Sequence, residues 1–302
     1  MDFRSRAFLH LCIPAFLTLA SAVPARAQIF ESVGIRAQGM GGAFVAVSDD
    51  ATATWWNPAG LAGGAYFSSV FESDRVDNPS MTRARAIALT VPSLGLSYYR
   101  LALSGIGPPA STESAAANRQ DQGVLSQFGV TLGQSIGDRV VVASTLKLVR
   151  AMDQTRGDLD VGALATVGWA RFGLAVKNLR ASDFSAGDRQ LELPRQVRAG
   201  LAIRAGAASR PAVTLAVDAD LTTTPTPFGD ERHLAAGVEA WAPNRRLAAR
   251  VGVGVNTLGE SRRSGSVGAS LALRRGLYVD GQLTGGSDEA RNSWGLGVRV
   301  TF

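Results

Sequence analysis

The sequence has few of the residue types that build catalytic and metal centres. Of the 302 residues, one is cysteine and two are histidine. The cysteine, Cys12, lies in an apolar stretch near the N-terminus, so the rest of the chain can form no internal disulfide. Beyond that stretch the single histidine, His233, has acidic neighbours but no second nitrogen or sulfur ligand. We therefore predict no metal, no cofactor and no enzymatic activity, with His233 in an exposed loop.

Lysine and long hydrophobic runs are also scarce. Beyond residue 27 no apolar run reaches the roughly 20 residues that a membrane-spanning helix needs. Only two lysines, Lys147 and Lys177, occur, so the high isoelectric point reflects arginine. The basic residues form no cluster interleaved with aromatic residues, which disfavours nucleic acid as a partner.

The first 27 residues are typical of a secretory signal peptide. Arg4 and Arg6 precede an apolar stretch of about 17 residues, and the tripeptide ARA at 25–27 offers small residues for cleavage. We predict that the mature chain begins at Gln28. It then has 28 basic and 24 acidic residues, because three arginines and one aspartate are removed from totals of 31 and 25.

From residue 65 onward, apolar residues alternate with polar or small ones. The C-terminus is one example, where one face carries Trp294, Leu296, Val298, Val300 and Phe302. This period of two is typical of β-strands. The final Phe302 resembles the signal by which outer-membrane barrels are recognised for insertion, so the barrel-assembly machinery is an expected partner.

The alternation predicts 14 strands. They are 65–73, 82–91, 94–104, 124–136, 139–152, 159–169, 171–181, 194–206, 210–222, 231–242, 245–257, 263–274, 277–285 and 292–302. Links after even-numbered strands are short, such as Gly137-Asp138. Links after odd-numbered strands are longer and polar, such as QTRGD, SDFSAGDRQLEL and TTPTPFGDE. This asymmetry is typical of transmembrane barrels, whose sheet closes because lipid offers no hydrogen bonds.

The predicted fold is all-β, a 14-stranded antiparallel transmembrane β-barrel over residues 65–302. A small N-terminal plug segment with a short helix precedes it. A soluble periplasmic β-protein is the competing fold. In the barrel, aliphatic side chains contact outer-membrane lipid and the other face lines a wet lumen. The predicted lumen charges are Arg198, Arg204, Asp218, Asp220, Glu239, Arg250, Asp280 and Arg299.

We interpret these charges as solvated or paired lumen residues, with a selectivity filter as the alternative. Four aromatic residues lie near predicted strand ends, where interfacial girdles form. They are Trp169, Trp241, Tyr278 and Trp294.

The stretch from Gly34 to Gly64 is too rich in glycine and alanine for an ordinary helix and too broken for a strand. The run SDDATATWW predicts about two helical turns, capped by Ser48 or Asp49. Pro58 restrains Asn57 from helical geometry, and NPAG then turns the chain into the first strand. Because a 14-stranded barrel is wider than its side chains can fill, we predict that residues 28–64 form a plug in its periplasmic half.

The stretch GIRAQGMGGAFVAVSDDATATWWNPAGLA resembles the N-terminal signature of FadL/PorV-type outer-membrane barrels. The resemblance assigns a plug motif to Gly39, Met40, Gly41, Gly42, Asn57, Pro58 and Ala59. For transporters of this type it implies that a hydrophobic molecule enters among the outer loops and waits on the plug. The molecule then leaves sideways where a strand is kinked.

Three functions stay open from the sequence. The first is a plugged channel for passive passage of small hydrophobic molecules across the outer membrane, with both mature termini in the periplasm. The second is a non-conducting PorV-like barrel with a secretion-system protein as its partner. The longest predicted loop, Gly105 to Gly123, favours this second function because it holds no aromatic residue to catch an apolar molecule. The third is a general porin.

Overall fold

The computed structural model describes residues 25–26, 33–76, 82–103, 123–186, 189–206, 212–226, 229–259, 261–287 and 292–302. Most of the predicted signal peptide and of the loop after the third strand lies outside these ranges. The dipeptide Ala25–Arg26 pairs in parallel with Leu191–Glu192.

In the described part of the chain, 14 antiparallel strands form a closed barrel. They are Ser68–Val76 (β1), Thr82–Val91 (β2), Leu94–Leu103 (β3), Gly123–Ile136 (β4), Val140–Ala151 (β5), Gln154–Val167 (β6), Ala170–Lys177 (β7), Gln196–Ala205 (β8), Ala212–Asp220 (β9), His233–Trp241 (β10), Leu247–Asn256 (β11), Arg263–Arg274 (β12), Leu277–Gly286 (β13) and Ser293–Thr301 (β14). Each strand pairs with the next, and β14 pairs with β1 from Ser293↔Val76 to Thr301↔Ser68. The predicted fold class is confirmed.

The longer links differ from the prediction because some of them form additional strand pairs. Strand β6 begins at Gln154, where QTRGD was predicted as a loop, because Met152 and Asp153 form a two-residue turn with φ of 50° and 58°. Two consecutive positive φ angles match the twist of a tight hairpin. The other two predicted loops contain short hairpins, Asp183–Ala186 with Arg189–Glu192 and Thr224–Thr226 with Gly229–Glu231.

The outer face of the barrel carries large apolar side chains. On β9, for example, Leu215 and Val217 are each 48% exposed, whereas Ala216 and Asp218 between and beside them are buried. Most other strands repeat this pattern, so exposed apolar side chains extend round the barrel. A surface of this kind suits lipid and not water. The soluble alternative is therefore wrong.

Residues 33–64, which we call the inner segment, lie inside the barrel. They contact residues of β1, β6, β9 and β10, which are spread around the ring. The segment contains two short α-helices, Ile35–Gln38 (α1) and Ala53–Trp56 (α2), and a 3-10 helix, Pro58–Gly63. No helix in the described ranges is long and apolar enough to cross a membrane.

The helices of the inner segment are shorter than predicted, and α1 was not predicted. Helix α2 covers one turn instead of two, and its N-cap is Thr52 instead of Ser48 or Asp49. The Asp50 carboxylate accepts a hydrogen bond from the Thr52 backbone N–H at 2.9 Å, and this local turn precedes the helix. Asn57 is extended, with φ of −149°, as expected for a residue before proline.

The inner segment contacts the barrel wall through glycine on both sides. Gly41 has φ of 68°, and a Cβ there would lie 2.7 Å from the Val253 backbone nitrogen. On the wall, a Cβ at Gly252 would overlap the backbone of Met40 and Gly41. The two backbones therefore touch directly, which only residues without a side chain allow.

We expect Gly252→Ala to destabilise the protein by about 1–3 kcal/mol, because the added methyl group must displace the backbone of the inner segment. The matched control is Gly265→Ala on the neighbouring strand, where a Cβ would have no atom within 4 Å. Urea titration of each variant in lipid vesicles measures the free energy of unfolding. Equal values for the two variants would show that this close contact contributes nothing.

Candidate functional site

Arg36 of α1 joins the inner segment to the wall. Its Nε donates to Glu239 Oε2 at 2.7 Å and its Nη2 donates to Glu239 Oε1 at 2.6 Å, a bidentate pair. Its Nη1 donates to Asp50 Oδ2 at 3.0 Å and also to Asp49. Burial alone would lower the pKa of Arg36, but the carboxylates of Asp49, Glu239 and Asp50 raise it well above its ordinary value.

Asp49 is held ionised by the same cluster. Burial alone would raise the pKa of the Asp49 carboxyl group, but Arg36 and then Arg204 lower it below its ordinary value. The Arg204 guanidinium donates to Asp49 Oδ2 at 2.8 Å. At neutral pH the inner segment therefore carries a full ion-pair cluster against the wall.

The ion pairs continue along the inner wall of β10 to β14. Arg250 Nε donates to Glu239 Oε2 at 2.7 Å, and Arg299 Nε donates to Asp280 Oδ2 at 3.0 Å. Arg250 Nη1 also lies 3.7 Å from Asp280 Oδ1. Charged side chains of alternating sign therefore form one continuous row from Arg36 to Arg299.

Trp241 lies beside this row of charged side chains and not in a lipid-facing girdle. It is buried inside the barrel, where its ring packs edge-on against Tyr278 at 5.5 Å between centroids. The guanidinium groups of Arg250 and Arg299 lie 5.9 and 5.7 Å from its ring centroid. The girdle prediction is therefore wrong for Trp241, which shares the inward face of β10 with Glu239.

A second group of polar contacts lies at the glycine-rich turn of the inner segment. Asp218 Oδ2 accepts hydrogen bonds from the Phe44 and Val45 backbone N–H groups, both at 2.7 Å. Arg198 Nε donates to Asp220 Oδ1 at 2.5 Å, and its guanidinium lies 6.0 Å from the Trp56 ring centroid. The strands that carry these wall residues, β8 and β9, lie on the side of the ring opposite β1.

His233 is buried, with 3% of its surface exposed, so the prediction that it is exposed is wrong. The reason is that its side chain lies on the inward face of β10. Its backbone N–H donates to Asp220 Oδ2 at 2.9 Å. Among the described residues, no group of three potential metal ligands comes together.

Asn57 connects the inner segment to β6. Its side-chain amide donates to the carbonyl oxygens of Val45 at 2.9 Å and Ala163 at 3.1 Å. Its Oδ1 accepts from the Ala59 backbone N–H at 3.1 Å, which starts the 3-10 helix. A Cβ at Gly162 would overlap Asn57, so the wall is again glycine at the contact. Pro58 and Ala59 are buried beside it.

Glu72 is a contact residue that the sequence analysis missed. Its two carboxylate oxygens accept hydrogen bonds from the backbone N–H groups of Gly34 at 2.9 Å and Ile35 at 3.1 Å. A carboxylate at a helix N-terminus is favourable because of the partial positive charge there. The period of two in β1 places Glu72 on the same inward face as Val70, and this signal could have identified it.

An apolar patch also lines the lumen. It consists of Tyr99 and Leu101 of β3, Leu125 of β4 and Val149 of β5, and all four are almost fully buried. The ring of Trp55 packs edge-on against Tyr99 at 6.4 Å between centroids. Three further buried apolar side chains belong to the same cluster and come from the loop after β7, namely Phe184, Leu191 and Leu193. No local pattern in the sequence indicates that this loop folds inward.

The loop after β7 is fixed above the patch by polar contacts. Asp158 Oδ1 accepts from the Arg180 backbone N–H at 3.0 Å, and Asp160 Oδ1 accepts from the Asn178 backbone N–H at 2.8 Å. Lys147 lies 2.5 Å from Asp160 Oδ1 and is also buried. At the opposite end of the barrel, Phe302 is exposed and its ring stacks on Phe67 at 6.0 Å between centroids.

We expect Glu239→Gln to destabilise the protein by about 3 kcal/mol, because it leaves Arg36 and Arg250 buried beside a neutral partner. The matched control is Asp153→Asn, the same chemical change in an exposed pair with Arg150 at 3.8 Å. The control should leave stability nearly unchanged, because solvent screens an exposed pair. Urea titrations that give equal losses for the two variants would contradict the importance of the buried pairs.

Comparison with known proteins shows which solved structures share this fold. The sequence matches no protein-family model and no functionally curated protein. The structure is similar to CymD, a monoaromatic hydrocarbon channel, with a TM-score of 0.64 and 14% identity over 91% of this chain and 99% of that chain. It is also similar to the toluene transporters TbuX of Ralstonia pickettii and TodX of P. putida. Their TM-scores are 0.61 and 0.60 and their identities 11% and 10%, each over 90% of this chain and 99% of that chain. The chain therefore has the fold of the FadL-type hydrocarbon channels, as the N-terminal signature predicts.

Proposed function

We propose that this chain is an outer-membrane channel for passive passage of small hydrophobic molecules, closed at rest by residues 33–64 acting as a plug. The observation that carries the proposal is the apolar patch inside the lumen. The fold shared with CymD, TbuX and TodX supports it, because these proteins are described as a monoaromatic hydrocarbon channel and toluene transporters.

The apolar patch is unusual for its position. The interior of a transmembrane barrel is generally polar, yet here apolar side chains lie side by side on the inner wall. Leu101 and Leu125 are direct partners across β3 and β4, and Val149 follows on β5. A small apolar molecule between Trp55 and the loop after β7 would gain roughly 25 cal/mol for each Å² removed from water.

The plug can move without opening the barrel. In the described part of the chain, the inner segment forms no β-ladder with any wall strand, and its polar contacts to the wall involve side chains. The barrel closes through its own strand pairing from β1 to β14. Displacement of the segment would therefore leave the wall hydrogen bonds intact, as a gate requires.

We further propose that the end with the tight turns faces the periplasm. Short turns on that side and longer loops outside are the usual arrangement in outer-membrane barrels. In this orientation Phe302 lies on the periplasmic side, whereas Ala25 and Arg26, which precede the predicted mature N-terminus, pair with the loop after β7 at the outer end. The loop that covers the apolar patch then faces the cell exterior, where an apolar molecule would arrive.

The other functions have less support. A general porin conducts through an open, water-filled lumen, whereas here buried residues of the inner segment occupy the lumen beside the wall. Nothing on the described residues favours a secretion-system protein as partner. We propose no enzymatic role.

A disulfide between the plug and the wall tests the gate. A Cβ at Gly39 would lie 3.2 Å from Gly268 Cα, and a Cβ at Gly268 would lie 3.2 Å from Gly39 Cα, so cysteines at both positions should bond. The predicted mature chain has no native cysteine to interfere. We expect oxidised Gly39→Cys/Gly268→Cys protein in proteoliposomes to pass radiolabelled toluene at least tenfold more slowly than the same protein after reduction.

The matched control joins two wall strands instead. Val253 and Gly265 are partners on β11 and β12, so the pair Val253→Cys/Gly265→Cys should leave toluene passage unchanged on oxidation. Mass spectrometry verifies each disulfide. Equal passage through the oxidised and reduced plug–wall variant would contradict a moving plug. Absence of passage above protein-free vesicles in either state would contradict the channel itself.

A further inference from the structure

A cavity of about 490 Å³ lies at the tight-turn end of the barrel, away from the apolar patch. It is bordered by the turn between β6 and β7, by the end of β8 and by the turn between β10 and β11. Three arginines line it, Arg171, Arg204 and Arg245, and no described lining residue is acidic. A cavity lined by three cations and no anion needs a physical explanation, because like charges repel.

Only one of these three arginines forms a close ion pair with a described carboxylate, and Asp49 attracts Arg171 from a longer distance. Arg204 pairs with Asp49 at 2.8 Å. The Arg171 guanidinium reaches only the carbonyl oxygens of Val47 and Ser48, both at a long 3.4 Å. Arg245 lies over the Trp241 ring at 5.9 Å from its centroid. Within the described ranges, neither Arg171 nor Arg245 has a carboxylate within 4 Å.

Arg171 is also held in position. It lies on the inner face of β7, half-buried against the inner segment, where solvent screens its charge less than on an open surface. Arg245 lies in an exposed tight turn with φ of 52°, and its side chain lies beside the Trp241 ring. Two guanidinium groups without a described carboxylate within 4 Å therefore face one cavity.

We propose that this cavity binds a phosphate group, with Arg171, Arg204 and Arg245 as its ligands. Guanidinium groups bind phosphate oxygens in bidentate geometry, and the Thr166 hydroxyl at the cavity wall offers a further donor. The volume accommodates one phosphate or a phosphate-bearing headgroup. The site is separate from the apolar patch and does not depend on passage of an apolar molecule.

The phosphate has two sources that share this chemistry. Trp169 lines the cavity and is 66% exposed, as is typical of an aromatic residue at the membrane–water interface. A phospholipid headgroup of the neighbouring leaflet could therefore reach the arginines. Free phosphate could enter from the aqueous side of the same opening.

Isothermal titration of the mature protein in phosphate-free dodecyl maltoside tests the site. One titration uses inorganic phosphate, and the other uses dihexanoyl phosphatidylglycerol below its critical micelle concentration. We expect saturable binding of at least one probe, weakened about tenfold by Arg171→Gln and about tenfold by Arg245→Gln. The second variant changes no contact with the inner segment, so it remains informative if Arg171→Gln alters the plug.

The matched control is Arg246→Gln, which removes the same charge from an exposed neighbour that does not line the cavity. It should leave binding unchanged. Binding of both probes with this variant pattern supports a site for the phosphate group itself, and binding of the lipid alone supports a headgroup site. Absence of saturable binding by either probe, or equal weakening by Arg246→Gln, would overturn the proposal.

Discussion

The structure depends on closure of the hydrogen-bonded sheet. In lipid a backbone N–H or C=O group without a partner costs several kcal/mol, so the last strand must pair with the first. Strand β14 does so along its whole length against β1. Closure divides the side chains into two environments, with Leu215 and Val217 outside and Asp218 inside on a single strand. The polar interior follows from that division.

A closed ring of 14 strands leaves more interior volume than its own side chains fill, and this explains the glycine-rich inner segment. Glycine on both surfaces brings two backbones together at Gly41 and Gly252, while larger residues such as Trp55 and Trp56 fill the remaining space. Buried charges are expensive to desolvate, so they occur in chains with alternating sign. The pairs therefore determine the position of the segment more than they add to stability.

Local patterns in the sequence determine which parts of this architecture are predictable. The bounds of β2 and β12 match the sequence prediction residue for residue, because the period of two and the flanking turn residues are local signals. Contacts across the lumen depend on how far the strands are staggered around the ring, which no local signal records. For that reason the contacts of Glu72 with Gly34 and Ile35, and those of Trp241 with Arg250 and Arg299, could not be predicted. The early start of β6 required the conformation of Met152 and Asp153, which are not typical turn residues as a pair.

The distribution of ion pairs between segment and wall is compatible with the proposed movement of the inner segment. Removal of one partner from a buried pair normally leaves an unpaired charge, at a cost of about 3–5 kcal/mol. Arg36 has Asp49 and Asp50 as partners on its own segment, whereas Glu239 has Arg250 on the wall. If the segment withdraws, Arg36 and Glu239 each keep a charged partner, while the pair of Asp49 with Arg204 and the backbone hydrogen bonds to Glu72 and Asp218 are lost. For Arg36 and Glu239 the cost of opening is therefore smaller than that of leaving a buried charge unpaired.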